Sequence, residues 1–258
     1  MNGETRIPAA ATNSAAEDSG VSGVAADSKS RVLAFAKPSE FVRTRGNEIR
    51  VNEIFFSLQG ESSRVGLPTV FVRLTGCPLR CHYCDTAYAF HQGKTRTIDD
   101  VLHEVASYDA KYICVTGGEP LAQKSCLSLL TRLCDDGYSV SLETSGALDV
   151  AAVDTRVSRI VDVKTPGSGE DSKNRWENMS HLNVRDEIKF VVTSEADYLW
   201  ARQILREKGL NRICSVLFSP SFGQLDMALL AAWILRDRLP VRAQVQLHKI
   251  IWGETRGV

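Results

Sequence analysis

Residues 69–86 read Thr-Val-Phe-Val-Arg-Leu-Thr-Gly-Cys-Pro-Leu-Arg-Cys-His-Tyr-Cys-Asp-Thr, so a strand-like apolar run leads directly into three cysteines with the spacing C-x3-C-x2-C. Three thiolates on one short loop can converge on a single inorganic centre. A structural zinc site would take a fourth ligand, for which His82, His91 or a distant cysteine could serve. Ordinary iron–sulfur clusters take four cysteines, so a set of three suits a four-iron cluster with one open iron. The spacing alone leaves zinc, a cluster and coincidental free cysteines open.

The composition excludes several classes of protein. The 258 residues carry 31 Lys and Arg against 31 Asp and Glu, whereas proteins that grip a phosphate backbone need clustered excess positive charge. The longest purely apolar run, 227–235, is far short of the roughly 20 residues that span a bilayer. We therefore expect no nucleic-acid partner and no membrane. Seven cysteines, an odd count, without an apolar signal segment indicate free thiols in a reducing compartment, so we expect a cytoplasmic protein.

The first thirty residues differ in composition from the rest. They contain seven Ala, five Ser and three Gly but no aromatic residue, and they cannot bury enough apolar surface to offset the entropy of ordering. We expect a disordered N-terminal tail over 1–45 and one folded catalytic domain over 46–258. A transit peptide is the competing interpretation, but Glu17, Asp18 and Asp27 do not suit an acid-poor targeting helix. A translation start assigned too far upstream would give a segment of the same composition.

From residue 51 onward, short apolar runs alternate with helical patterns. The runs predict strands over 51–55, 69–74, 112–116, 138–142, 159–163, 187–192 and 215–218, with a last segment over 241–247. The helical patterns cover 97–108 with Thr97 as N-cap, 121–134 before Gly137, 196–208 before Gly209, and 225–238. Because the helices are too few for an eight-fold barrel, we expect an α/β fold with an incomplete, split parallel β/α barrel. Its reactive centre and motifs should lie at the carboxyl ends of the strands.

Two motifs together resemble the radical S-adenosylmethionine (SAM) superfamily. Tyr83 precedes the third cysteine, and Gly-Gly-Glu-Pro at 117–120 follows a predicted strand. By itself, the second motif is also typical of a tight turn that enters a helix. The resemblance implies the split barrel of that superfamily and a 4Fe–4S cluster whose open iron is chelated by SAM. An electron from the cluster then cleaves SAM to a 5′-deoxyadenosyl radical.

The same resemblance implies a set of ligands. Many relatives carry Ser-Pro-Lys where this chain has Asp162, Val163 and Lys164, so only the lysine is matched directly. The implied cluster ligands are Cys77, Cys81 and Cys84, and the implied SAM contacts are Tyr83, Cys84, Asp85, Gly118, Glu119, Ser145, Asp162, Lys164 and Ser219.

Further elements resemble the 7-carboxy-7-deazaguanine synthase family within that superfamily. They are Ser-Leu-Gln-Gly-Glu at 57–61, Asp-Thr at 85–86 and Gln-Leu-His-Lys at 246–249. The resemblance implies conversion of 6-carboxy-5,6,7,8-tetrahydropterin to 7-carboxy-7-deazaguanine with loss of ammonia, on the route to queuosine and related deazapurines. It also implies Mg²⁺ as a cofactor, a homodimer and a reductant such as a flavodoxin.

The residue types suit these roles. The amino-pyrimidinone edge of a pterin needs donors and acceptors, and its carboxylate needs a cation such as Arg73. Mg²⁺ takes oxygen ligands, and by family analogy the Thr86 hydroxyl is one. Without the resemblance we would interpret Thr86 as a cap and His248 as an ordinary core or surface histidine. No residue is implied as a nucleophile or base, and the implied substrate contacts are Leu58, Gln59, Gly60, Glu61, Arg73, Thr116 and His248.

Two other functions stay open at the level of sequence. A glycyl-radical activase would share the cysteine loop and the Gly-Gly-Glu-Pro motif, and a zinc-stabilised binding module would explain the cysteines without catalysis. The chain also continues from Trp252 to Val258, further than many relatives. The four remaining cysteines are interpreted as buried small apolar residues: Cys114, Cys126, Cys134 and Cys214.

Overall fold

A computed structural model describes residues 46–258 of the chain, and the tail predicted over 1–45 lies outside the described residues. One nine-stranded sheet organises this part of the chain. Its strands are β1 (Glu48–Leu58), β2 (Pro68–Leu74), β3 (Lys94–Thr97), β4 (Tyr112–Gly117), β5 (Ser139–Thr144), β6 (Ser158–Val163), β7 (Glu187–Val192), β8 (Ser215–Pro220) and β9 (Arg242–Ala243).

The sheet is open and mainly parallel. Its strand order is β3-β1-β2-β4-β5-β6-β7-β8-β9, and every pairing from β2 to β9 is parallel. Only β1 runs the other way, antiparallel to both β2 and β3. This arrangement confirms the predicted α/β fold with an incomplete, split parallel barrel. The carboxyl ends of β2 and β4 to β9 therefore meet at one edge, where catalytic loops collect in such sheets.

Five α-helices accompany the strands in the described residues: α1 (Ile98–Ala106), α2 (Ser125–Asp135), α3 (Glu195–Lys208), α4 (Met227–Asp237) and α5 (Leu247–Trp252). Thr97 begins α1 as predicted, because its side chain accepts from the Asp100 N–H while the Asp100 carboxylate accepts from the Thr97 N–H. Gly209 ends α3 in the left-handed conformation that favours glycine. The apolar faces of α1 and α2 pack with the first strands, and those of α3 and α4 pack with the later ones.

Several predicted boundaries were wrong. Strand β1 extends three residues beyond the predicted 51–55 at each end, and β3 was not predicted. The helix predicted from 121 begins only at Ser125, because the side-chain amide of Gln123 pairs with the N–H and C=O of Arg50 and holds the chain extended at that point. The last segment, predicted over 241–247, contributes only the two residues of β9, and α5 follows it. A six-residue helix with few apolar contacts leaves a weak periodic pattern.

Three of the four cysteines outside the loop are buried as predicted. Cys114, Cys126 and Cys214 are buried, whereas Cys134 is only half-buried near the end of α2, so the prediction was wrong for that residue. No helix in the described part of the chain combines the length and the apolar character needed to cross a bilayer.

Candidate active site

A cavity of about 660 Å³ opens among the carboxyl ends of the parallel strands and extends into the interior of the split barrel. Of the cluster, SAM, Mg²⁺ and substrate contacts that the resemblance implies, only Glu119 and Ser219 are absent from its lining. The lining includes Leu58, Gln59, Gly60, Glu61, Arg73, Cys77, Cys81, Tyr83, Cys84, Asp85, Thr86, Thr116, Gly118, Ser145, Asp162, Lys164 and His248.

The cysteine loop forms one wall of this cavity. It follows β2 and is tied to the loop after β4, since the N–H of Glu119 donates to the C=O of Gly76 at 2.8 Å. A β-carbon on Gly118 would lie 2.4 Å from that oxygen and 2.8 Å from Cβ of Cys77, so only glycine allows this approach. The Gly-Gly-Glu motif therefore forms a shelf directly against the first cysteine of the loop.

The three thiols of the loop, Cys77, Cys81 and Cys84, are free and half-buried. Burial raises the pKa of the Cys77 thiol to about 12, so a positively charged centre is needed to hold it as a thiolate. No three His, Cys, Asp or Glu side chains of residues 46–258 are grouped as ligands of one metal ion. Free thiols on a shared wall, beside a glycine shelf, suit an iron–sulfur cluster as a donor set.

Glu119 lies behind the cavity wall, not on it. Its side chain is fully buried, and its Oε2 accepts from the N–H and the hydroxyl of Ser145 at 2.7 and 2.5 Å. The Thr144 hydroxyl donates to the same carboxylate. Ser219, the second residue that does not line the cavity, donates its hydroxyl to the C=O of Gln244 at 2.8 Å. Glu119 therefore fixes Ser145, which does line the cavity.

A partly buried charge pair lies near the Cys81 thiol. The ammonium of Lys164 is 2.9 Å from Oδ2 of Asp162. Burial lowers the pKa of Lys164, but Asp162 and Tyr83 raise it overall, so the lysine remains cationic. Within the described residues, Oδ1 of Asp162 and the hydroxyl of Tyr83 are buried without a hydrogen-bond partner. These two atoms are available to a ligand.

The segment Leu58–Glu61 lies at the opposite end of the barrel, and for this motif the predicted position at the carboxyl ends was wrong. Leu58 pairs with Pro68 at the beginning of β2, and the N–H of Ser63 donates to Glu187 at the beginning of β7. The reason is the direction of β1, which is antiparallel to β2 and so delivers the residues after it to the amino ends of the parallel strands. These residues form the floor of the cavity.

Side chains from four strands and loops meet on this floor. Lys189 of β7 lies 2.5 Å from Oε2 of Glu61, and both residues are buried. Glu143 of β5 accepts from the Thr116 hydroxyl at 3.0 Å and from the Gln59 amide at 3.3 Å. Within the described residues, Oε1 of Glu61 is buried without a hydrogen-bond partner.

Lys189 is a residue of this floor that the sequence did not indicate. It lies in the middle of a strand whose other residues are mostly apolar. A single lysine in a strand that is buried along its whole length is a signal that could have marked it, since lysine is almost never fully buried unless it is paired.

Helix α5 connects the two halves of the cavity. The N–H of Leu247 donates to the C=O of Gly60 at 3.0 Å, which places His248 on the floor. The next residue, Lys249, lies 3.5 Å from Asp85 of the cysteine loop. Burial lowers the pKa of His248, so the neutral imidazole is favoured.

Arg73, predicted to bind the substrate carboxylate, already has a protein partner. Its Nε lies 2.7 Å from Glu53, whose Oε1 also accepts from the Tyr88 hydroxyl at 2.7 Å. Burial lowers the pKa of Arg73, but Tyr88 and Glu53 raise it overall, so its charge is retained. The guanidinium of Arg256 lies 4.0 Å from the centre of the Tyr88 ring, and the chain end over 254–258 lines the cavity here.

Comparisons with known proteins give a consistent result. Residues 71–219 match the radical SAM superfamily. The chain is 51% identical over 214 residues to a 7-carboxy-7-deazaguanine synthase from Chlorobaculum tepidum, covering 81% of this chain and 97% of the relative. A second relative of the same name, from Koribacter versatilis, is 44% identical over 226 residues, covering 81% and 100%. The crystal structure of QueE from Escherichia coli shares the fold, with a TM-score of 0.66 at 23% identity over 78% of this chain and 95% of that one.

Proposed function

The chain belongs to the 7-carboxy-7-deazaguanine synthase family of the radical SAM superfamily, and from that premise we propose that it converts 6-carboxy-5,6,7,8-tetrahydropterin to 7-carboxy-7-deazaguanine with release of ammonia. The product would enter the biosynthesis of queuosine or a related deazapurine. One observation carries the proposal: the same cavity joins three free thiols to a floor on which Oε1 of Glu61 is buried without a partner among residues 46–258. Buried polar atoms normally have partners, so this oxygen fits a donor on a bound ligand.

The thiol side of the cavity would hold the cofactors. Cys77, Cys81 and Cys84 would bind a 4Fe–4S cluster, with the glycine shelf leaving room beside them. When bound, the cluster would supply an electron and SAM would supply the radical that takes up a hydrogen atom; because that hydrogen would be given back, SAM would act as a cofactor and not be consumed. Ser145 and Asp162 would bind SAM through a hydroxyl and a carboxylate. Glu119 and Lys164 would orient these two side chains through the hydrogen bonds described above.

The floor of the cavity would bind the pterin. Oε1 of Glu61 would accept from the amino-pyrimidinone edge, with Gln59 and the backbone of Leu58 and Gly60 beside it. Arg73, whose charge is maintained by Glu53, would face the carboxylate. These residues bind and orient the substrate against the radical source, and such positioning lowers the barrier without a protein nucleophile. Thr116 and His248 complete the proposed contacts.

Four finer points belong to the proposal. We assign a bound Mg²⁺ to the Thr86 hydroxyl and the substrate carboxylate, because this ion takes oxygen ligands and keeps several waters. Thr86 lines the cavity beside Cys84, with Oγ1 3.8 Å from its sulfur. A flavodoxin-type reductant and a homodimer follow from the family resemblance. A cytoplasmic location suits an enzyme that depends on free thiols.

The proposal is tested by anaerobic reconstitution with iron and sulfide, followed by incubation with SAM, a reductant, Mg²⁺ and the carboxylated tetrahydropterin. We expect a visible charge-transfer spectrum and a deazaguanine product identified by mass spectrometry. Stoichiometric zinc without that spectrum would support the zinc-stabilised module instead. Cleavage of SAM that leaves the pterin unchanged would favour another radical SAM enzyme, such as a glycyl-radical activase.

A further inference from the structure

Lys189 occupies an unusual position for a lysine. It lies in the middle of β7, in register with Asp162 of β6 and Leu217 of β8. Its neighbours in β7, Ile188 and Phe190, point into the apolar core between the sheet and the helices, so the alternation of the strand directs Lys189 into the barrel. Only 9% of the residue is exposed, and it lines the cavity.

The ammonium of Lys189 is surrounded by carboxylates. Glu61 is its ion-pair partner, and the charges of Asp162 and Glu143 also act on it. Burial lowers the pKa of Lys189, but Glu61 and the other two carboxylates raise it overall, so it is a cation. Glu61, in turn, is held in one orientation by this cation, although the two residues are 128 positions apart in the sequence.

Stability alone does not explain this pair. The desolvation of two buried charges offsets most or all of their attraction, so apolar side chains of similar volume would stabilise the barrel as well or better. A pair that serves only the fold would also satisfy both carboxylate oxygens, yet Oε1 of Glu61 has no partner within the described residues. The pair fixes one oxygen and leaves the other directed at the cavity.

We propose that Lys189 is a positioning residue for the pterin: it binds Oε2 of Glu61 and thereby holds Oε1 in place to accept from the amino-pyrimidinone edge. Lys189 acts through Glu61 and is not assigned to the chemical step. This inference rests on the proposed function, because it takes the pterin as the ligand of the floor.

The test compares Lys189→Met, Lys189→Arg and the matched control Lys208→Met, which removes an exposed lysine at the end of α3. In Lys189→Met we expect the KM for the pterin to rise on the order of 10- to 100-fold with a much smaller change in kcat, as for a lost charge-assisted hydrogen bond. Lys189→Arg retains the cation and should recover most of this loss. The control Lys208→Met should retain the wild-type KM and the wild-type rate of SAM cleavage in the absence of pterin.

A double variant keeps the test decisive if Lys189→Met does not fold. Glu61→Gln with Lys189→Met removes both charges of the ion pair, and its KM should equal that of Glu61→Gln alone, since the lysine no longer has the Glu61 carboxylate to position. A further rise in KM in the double variant would overturn the proposal, as would an unchanged KM in Lys189→Met or a loss confined to kcat. A wild-type enzyme that cleaves SAM but makes no deazaguanine would overturn the proposed function instead.

Discussion

Gly60 and His248 are in contact so close that a β-carbon on Gly60 would lie 2.1 Å from Nδ1 of the imidazole. The backbone of the floor segment and the His248 side chain of α5 are therefore packed so closely that no side chain fits between them. Because the N–H of Leu247 also donates to the C=O of Gly60, the two segments define each other's place in the cavity.

Gly60→Ala should weaken substrate binding. The added methyl group displaces His248, and we expect the KM for the pterin to rise about tenfold or more, the equivalent of one lost hydrogen bond. Steady-state kinetics with reconstituted enzyme measures this. Gly46→Ala is the matched control, since nothing lies within 4 Å of a β-carbon there. A wild-type KM in Gly60→Ala would show that His248 is not a substrate contact.

Two cysteine substitutions should have opposite outcomes. Cys81→Ala removes an assigned cluster ligand and should abolish both cluster content and turnover. Cys126→Ala removes a fully buried sulfur from the core beside α2 and should lower the free energy of unfolding by about 1 kcal/mol, leaving turnover largely intact. Iron content and product formation are measured for both variants. Equal losses would contradict the division of the cysteines into ligands and packing residues.

Asp186→Ala should destabilise the fold without touching the site. The Asp186 carboxylate accepts two hydrogen bonds from the Arg159 guanidinium, at 2.7 and 3.1 Å, and one from the Arg159 N–H at 2.8 Å, and both side chains are buried. Removing the carboxylate leaves a buried guanidinium unpaired, which costs about 3–5 kcal/mol. Denaturant unfolding measures the loss, and Asp135→Ala, at an exposed ion pair, should shift the midpoint far less. Similar shifts in the two variants would show that the Arg159 pair is not a stabilising contact.

The neutral state of His248 should make stability depend on pH in the acidic range. Burial lowers its pKa in the folded state, against the opposing charges of Glu61 and Asp85. The unfolded state therefore binds more protons. The contribution of neutral His248 to the free energy of unfolding is complete above a pH of about 6.5 and decreases as the pH falls below that value. Unfolding free energies at several pH values should show a weaker acidic slope in His248→Gln than in the wild type. His181→Gln, at an exposed histidine, should keep the wild-type slope; equal slopes in all three proteins would refute the assignment.

Sequence patterns predicted the elements that depend on local chemistry. The strand over 187–192 has the predicted bounds, and Thr97 and Gly209 begin and end their helices where capping rules place them. The cysteine loop and the Gly-Gly-Glu motif meet on one wall because both follow parallel strands. These features could be predicted because each depends on a few neighbouring residues.

The remaining features depend on partners that are distant in the chain. The antiparallel direction of β1 is set by its pairing with β2 and β3, so the sequence could not indicate that the residues after Leu58 reach the amino ends of the sheet. Glu119 turns away from the cavity because Thr144, the last residue of β5, and Ser145, which follows it, supply its hydrogen bonds. Lys189 acquires its partner from a segment 128 positions away.

The central claim is that one cavity holds a radical source at its thiol wall and a pterin on its floor, with SAM returned after each turnover. The measurement that tests it most directly is anaerobic turnover of 6-carboxy-5,6,7,8-tetrahydropterin by the reconstituted enzyme with SAM present in less than the amount of substrate. The account predicts more than one molecule of 7-carboxy-7-deazaguanine for each molecule of SAM supplied. Accumulation of 5′-deoxyadenosine with no deazaguanine would contradict it.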